Sequence, residues 1–176
     1  MRENHIEWHP ELHEHQDSAF NVLALTCAKD RKVCSLPIYM WCNNKDSISR
    51  KNGIYHLPNT WPHMLDSYQA LIDDFKDRGY GGHACYYAKY ALYASYYELS
   101  HQAWKLKDIE EQKTATYKRI CEFYYKNELL IKHCDEKATE QIIKVNESIA
   151  KRKGPMNEMP PFEEWLNSII TIWRNV

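Results

Sequence analysis

Cys85 stands three residues after the pair Gly81-Gly82, where a glycine-rich turn gives way to strong helix formers. A thiol just inside a helix N-terminus meets the positive end of the dipole, which lowers its pKa and favours the nucleophilic thiolate. His83 and Arg78 lie close by, so one short stretch offers a nucleophile, a proton carrier and a cation for developing negative charge. The simpler account of Cys85 is a small buried hydrophobe. Near the start, His9 and His13 are four residues apart, a spacing that lets two imidazoles on one helix face share zinc or another transition metal. His5, Glu14 or His15 would complete the set, and an exposed, frayed start is the plainer alternative. Cys34, Cys42, His56 and His63 form a second combination of zinc-ligand types, at spacings that match no common module.

Two short strings carry resemblances. Gly81-Gly82-His83-Ala84-Cys85-Tyr86-Tyr87-Ala88 resembles the cysteine-bearing helix start of papain-like and related thiol peptidases. The resemblance implies Cys85 as nucleophile and calls for a histidine and an Asn or Asp on a downstream sheet. Everything downstream here reads as helix, with His101 and His133 as the histidines on offer. Arg78 and His83, with four residues between them, are similar to the arginine–histidine motif of HEPN-type helical ribonucleases. That resemblance implies cleavage through a ribose hydroxyl, His83 moving the proton and Arg78 stabilising phosphate charge. The intervening Gly-Tyr-Gly-Gly departs from the pattern, since a polar residue commonly follows the arginine. Glu98 and His101 make one Glu-x-x-His; a di-iron site needs two and further glutamates, so that chemistry is rejected.

A row of aromatics gives the other lead. Tyr86, Tyr90, Tyr93, Tyr97 and Trp104 fall on one side of a helical wheel. Packing with the hydroxyls at the rim is the simpler reading. A groove or interface is the functional one, because phenylalanine would pack at lower cost if burial were the only demand, and tyrosine and tryptophan dominate binding hot spots.

These residues need helices to hold them. From His83 to Lys153 the chain runs 71 residues without glycine or proline, which argues for helix. One helix of that length would reach roughly 105 Å, too long for a compact domain. The spacing Asp108-x-x-Glu111 suggests a capping box and a break near Lys107, with a further break near His133 to Glu136. Between Gly82 and Lys107 a small-residue face (Ala84, Ala88, Ala91, Ser95) sits beside the tyrosine row and a core face with Leu92 and Leu99, marking the central helix. The next segment has an apolar stripe from Tyr117 through Ile120, Ile131 and Ile142 to Ile149. Upstream, a first helix is expected from Pro10 to about Lys29, and another from Thr60 as cap to Gly79. Residues 30–62 read as an irregular or short-hairpin insertion. After Gly154-Pro155, the closing segment places Phe162, Trp165, Ile169, Trp173 and Val176 on one face. It must dock in cis or on a partner, a homodimer through this helix being one option.

The expected fold is therefore mainly α. A single-domain helical bundle spans 1–153, a linker 154–161 and a C-terminal amphipathic docking helix 162–176. A formal net charge of -1 gives no global case for nucleic acid or anionic membrane. No apolar run approaches a membrane span, and the first ten residues show no secretory pattern, so a cytoplasmic location with reduced thiols is expected. The function expected is non-enzymatic protein–protein binding, with Tyr86, Tyr90, Tyr93, Tyr97, Trp104, Trp165 and Trp173 as contact residues. An inhibitor or accessory factor suits this composition, which fits a phage, mobile element or pathogen and then the host-cell cytoplasm. The alternatives are a hydrolase or nuclease centred on Cys85 and His83 with Arg78, and a metal-binding protein using His9 and His13 or the Cys/His loop.

Overall fold

The computed structural model describes residues 16–30, 57–100 and 109–173, with single positions 6, 7, 9, 12 and 32. Among these residues six α-helices form a mainly α bundle: α1 (Gln16–Cys27), α2 (Leu57–Asp77), α3 (Gly81–Leu99), α4 (Ile109–Lys132), α5 (Glu136–Lys153) and α6 (Phe162–Trp173). Among the described residues there is no β-strand.

Local chemistry fixes the corners. At the end of α2, Gly79 takes a φ of 76°, a left-handed conformation that glycine adopts without strain. Gly79 N–H then donates to Lys76 O at 3.0 Å and Tyr80 N–H to Phe75 O at 2.8 Å, the paired bonds of a Schellman closure. The rings of Phe75 and Tyr80 meet edge to face at 6.2 Å across that turn, the apolar contact that usually accompanies the motif. Helix α3 starts at once and runs back along α2. The break expected near His133 falls there: Asp135 caps α5, its carboxylate accepting from Ala138 N–H at 2.8 Å.

Helix α3 is central, packing against α2, α4, α5 and α6. Ala84, Ala88, Ala91 and Ser95 are fully buried, and small side chains there let neighbouring helices come close. Ser95 satisfies its hydroxyl by donating to Ala91 O at 2.8 Å. Between α2 and α4 runs a polar seam: Arg119 pairs with Asp66, Lys126 with Asp73, and the buried Asn127 with Gln69 at 2.8 Å.

Helix α6 docks in cis. Trp165, Leu166 and Ile169 are buried as α6 lies on α3 and α4, a gain of several kcal/mol at roughly 1.5–3 per large side chain. The linker before it is strapped to the end of α3: Asn157 N–H donates to Ser100 O at 2.6 Å and the Tyr96 hydroxyl to Pro160 O at 2.8 Å. No helix among the described residues is long and apolar enough to cross a membrane.

Several boundaries differ from expectation. Helix α1 begins at Gln16 rather than Pro10; Leu12 is buried without being helical, its N–H donating to His9 O at 3.2 Å in a turn. Helix α2 begins at Leu57, before Thr60, because Pro58 falls in the first turn, where a missing N–H costs nothing. Helix α3 stops at Leu99 rather than Lys107: the Tyr97 carbonyl, which a continued helix would offer to the next backbone N–H, accepts from the Ser100 hydroxyl at 2.6 Å, and Ser100 O accepts from Asn157. The stripe from Tyr117 to Ile149 is shared by α4 and α5, and α4 also buries Phe123, Asn127 and Cys121. The hairpin expected within 30–62 and the capping box at Asp108 lie outside the described residues, apart from the helical start at 57.

Candidate functional site

The tyrosines of α3 divide between two environments. Toward the N-terminal half of the helix, Tyr86, Tyr87 and Tyr90 line a cavity of about 380 Å3. Helix α2 supplies Met64, Ser67, Tyr68 and Leu71, α1 supplies Ser18, Ala19 and Val22, and α5 contributes Val145. The three-residue turn Arg78-Gly79-Tyr80 sets α2 against α3 so closely that Tyr68 meets Tyr90 at 5.6 Å with the rings 60° apart. Tyr86 and Tyr90, one helical turn apart, lie nearly parallel at 6.1 Å. Tyr87 stacks on Phe75 at 5.7 Å, and Phe75 in turn carries His83 at 5.2 Å. Offset and edge-on aromatic pairs of this kind stabilise beyond their buried area, so the wall is built from rings that hold each other.

Electrostatically the wall is neutral. Burial pushes the Tyr87 phenol up to about 12 and raises Tyr68, Tyr86 and Tyr90 above the ordinary phenol value. At neutral pH every one of these hydroxyls keeps its proton and can both donate and accept. Among the described residues, no charged side chain lines the cavity.

In the other half of α3 the row serves packing. Tyr93 stacks on Phe162 of α6 at 3.7 Å, and its phenol is raised to about 12, chiefly by burial. Tyr97 donates to Glu147 of α5 at 3.2 Å, and burial, followed by that carboxylate, pushes its phenol up. Trp165 is 4% exposed under α6, and Trp173 is half-buried against the core. Both therefore face inward in this chain, while Ile172 is left 64% exposed on α6. Trp104 lies outside the described residues.

The residues of the catalytic alternative gather at the α2–α3 corner. Arg78 follows the last turn of α2 and is half-buried; His83 is exposed in the first turn of α3 beside the Phe75 and Tyr80 rings. Burial raises the Cys85 thiol and outweighs a backbone hydrogen bond acting the other way. The thiol is protonated at neutral pH, the opposite of what helix-dipole activation would supply. The imidazole of His9 lies 2.8 Å from Asp74, tying the chain before α1 to α2. His13, Cys34, Cys42 and His56 lie outside the described residues, and His63 is exposed beside Asp66 at 3.9 Å. Among the described residues no three His, Cys, Asp or Glu side chains are arranged to hold a metal.

Two of the cavity's tyrosines, Tyr68 and Tyr87, were not among the residues expected to bind. Tyr68 reads in sequence as part of the apolar face of α2, and Tyr87 falls between stripes. Their adjacency to Tyr86 and Tyr90 is set by the α2–α3 turn, and the tyrosine pair Tyr86-Tyr87 was the available signal. Comparison with family models, curated proteins and solved structures gives no match.

Proposed function

We propose that the protein is a non-enzymatic binding protein, an accessory or inhibitory factor that holds a partner protein at the tyrosine-walled cavity between α1, α2 and α3. The observation that carries this reading is the cavity itself: four neutral tyrosines converge on about 380 Å3, with no charged group among the described residues of the wall. Tyrosine presents a large, rigid contact area at low entropy cost and a hydroxyl for orientation. A pocket of this size takes one or two anchor side chains, the arrangement typical of a hot spot. The protonated Cys85 thiol supports binding over thiol catalysis. Because α6 spends Trp165 within the chain, the partner is a different protein rather than a second copy joined through that helix. A cytoplasmic setting, that of the producing or host cell, belongs to the same proposal.

The test is affinity. With the partner recovered from extracts of the source cell, Tyr86→Ala and Tyr90→Ala should each weaken Kd by about tenfold or more, as hot-spot truncations do. Lys144→Ala, on an exposed face of α5, should leave it unchanged. Unaltered affinity in folded Tyr86→Ala and Tyr90→Ala proteins would sink the reading.

A further inference from the structure

Helix α6 sits on the bundle as a ligand helix sits in a receptor groove. Its inward residues Phe162, Trp165, Leu166 and Ile169 fall at i, i+3, i+4 and i+7, the anchor spacing of amphipathic helices that bind hydrophobic grooves. Phe162 stacks on Tyr93 of α3 at 3.7 Å, and Tyr96 meets Phe162 and Trp165 edge to face at 5.6 and 5.2 Å. Helix α4 forms the other side. Glu163 and Glu164 lie exposed in the first turn, where acids complement the helix dipole. Among the described residues, no hydrogen bond or ion pair crosses from α6 itself to α3 or α4. Other interfaces of the bundle are pinned: Tyr97 donates to Glu147 between α3 and α5, and Arg119 pairs with Asp66 between α2 and α4. The Trp165 indole N–H is buried with no acceptor among the described residues, a donor that regains water when the helix lifts away. The polar bonds that do reach α3, Tyr96 hydroxyl to Pro160 O and Asn157 N–H to Ser100 O, belong to the tether 154–161. A short tether gives its helix a high effective concentration, so the groove stays filled although α6 is held by packing alone.

We infer that the α3–α4 groove is a helix-binding site and α6 its built-in competitor, displaced by an amphipathic helix of another protein. The chemistry of that helix is read from α6: aromatic rings at i and i+3, aliphatic side chains at i+4 and i+7, and acids on the outer side of the first turn. An aromatic ring without an N–H at i+3 fills the place of Trp165 without stranding a donor, which gives an incoming helix its advantage over α6. The affinity of the groove for that helix is reduced by the small fraction of chains in which α6 is undocked, so α6 acts as an autoinhibitory segment. The groove engages the half of α3 away from the tyrosine cavity, and the inference does not rest on partner binding there.

The probe is a fluorescein-labelled peptide of residues 159–176, added in trans to the full chain and followed by anisotropy. It should bind the wild-type chain weakly and Trp165→Ala about tenfold or more tighter, because that chain's own α6 has lost its central anchor. Tyr96→Phe keeps the ring contacts and removes only the hydroxyl bond to Pro160; it should bind the peptide about threefold tighter than wild type, the worth of a net hydrogen bond. Adding Tyr93→Ala to either variant should abolish the gain. Hydrogen exchange on the wild-type chain needs no variant to fold, and α6 amides should open about a hundredfold or more oftener than those of α3. Equal protection of α6 and α3, or equal peptide affinity of wild type and Tyr96→Phe, would overturn the inference. So would a gain that survives Tyr93→Ala, which would put the peptide elsewhere, or dimerisation of Trp165→Ala, which would make a second copy the occupant. Tyr86 and Tyr90 enter none of these measurements, so failure here is distinct from failure of the cavity reading.

Discussion

Asn127 shows how one polar side chain is made to serve an apolar interior. It is 2% exposed, and its amide donates to Gln69 of α2 at 2.8 Å and to Phe123 O at 2.9 Å. Replacing it by alanine leaves the Gln69 carbonyl without that donor and opens a small void. The expected cost is about 1–3 kcal/mol, the penalty of an unsatisfied buried group, read as a lower denaturant midpoint at unchanged slope. A cost near zero would mean that the seam between α2 and α4 adds nothing to stability. The tyrosine row shows the limit of reading single residues. Tyr86, Tyr90, Tyr93 and Tyr97 lie within about 60° of one another at 100° per residue, so a helical wheel treats them alike. Their partners change along the axis: α1 and α2 beside Tyr86 and Tyr90, α6 beside Tyr93, α5 beside Tyr97. Which of them face a cavity is a property of the neighbours and is absent from the row itself.

Helix boundaries separate into those written locally and those written elsewhere in the chain. The α2–α3 turn follows from Gly79 and its apolar flanks, and the α4–α5 break from a capping aspartate with Ala138 N–H three residues on. Both sit where sequence placed them, because their determinants lie within a turn of the boundary. The end of α3 does not: the Ser100 hydroxyl takes the Tyr97 carbonyl, and Ser100 O accepts from Asn157, more than fifty positions downstream. The late start of α1 has the same character: Leu12 is buried but non-helical, and His9 is held by Asp74 of α2. A local cap gives a local prediction. Asp135→Ala removes the acceptor for Ala138 N–H and should destabilise the protein by about 1 kcal/mol, within the roughly 0.5–2 usual for caps. Asp135→Ser should restore most of it. If alanine were as stable as aspartate, α5 would owe its start to packing alone.

Taken as a whole, the bundle keeps an unusual number of acids with raised pKa. All-α architecture, the central place of α3 and the inward face of α6 could be read from breaker-free length, small-residue spacing and aromatic periodicity. The cavity could not, because it needs three helices and a side chain from the middle of a fourth to meet. That meeting has a consequence for pH. Burial lifts the phenols of Tyr68, Tyr86, Tyr87, Tyr90, Tyr93, Tyr96, Tyr97 and Tyr124, and the thiols of Cys85, Cys121 and Cys134. For each, the folded chain holds a proton that the unfolded chain has already released. Where the native state binds more protons, unfolding free energy falls as pH rises. The contribution is intact below the unfolded values, near 9 for the thiols and 10 for the phenols. It is lost progressively up to about 12, where Tyr87 and Tyr93 titrate in the native state. The melting temperature should therefore be nearly flat through neutral pH and drop steeply above about 10, with phenolate absorbance appearing together with loss of helical signal rather than ahead of it. Tyr87→Phe should soften the drop, since one fewer proton is released on unfolding. Phenolates appearing near pH 10 while the helices persist would show that the tyrosine wall is open to water.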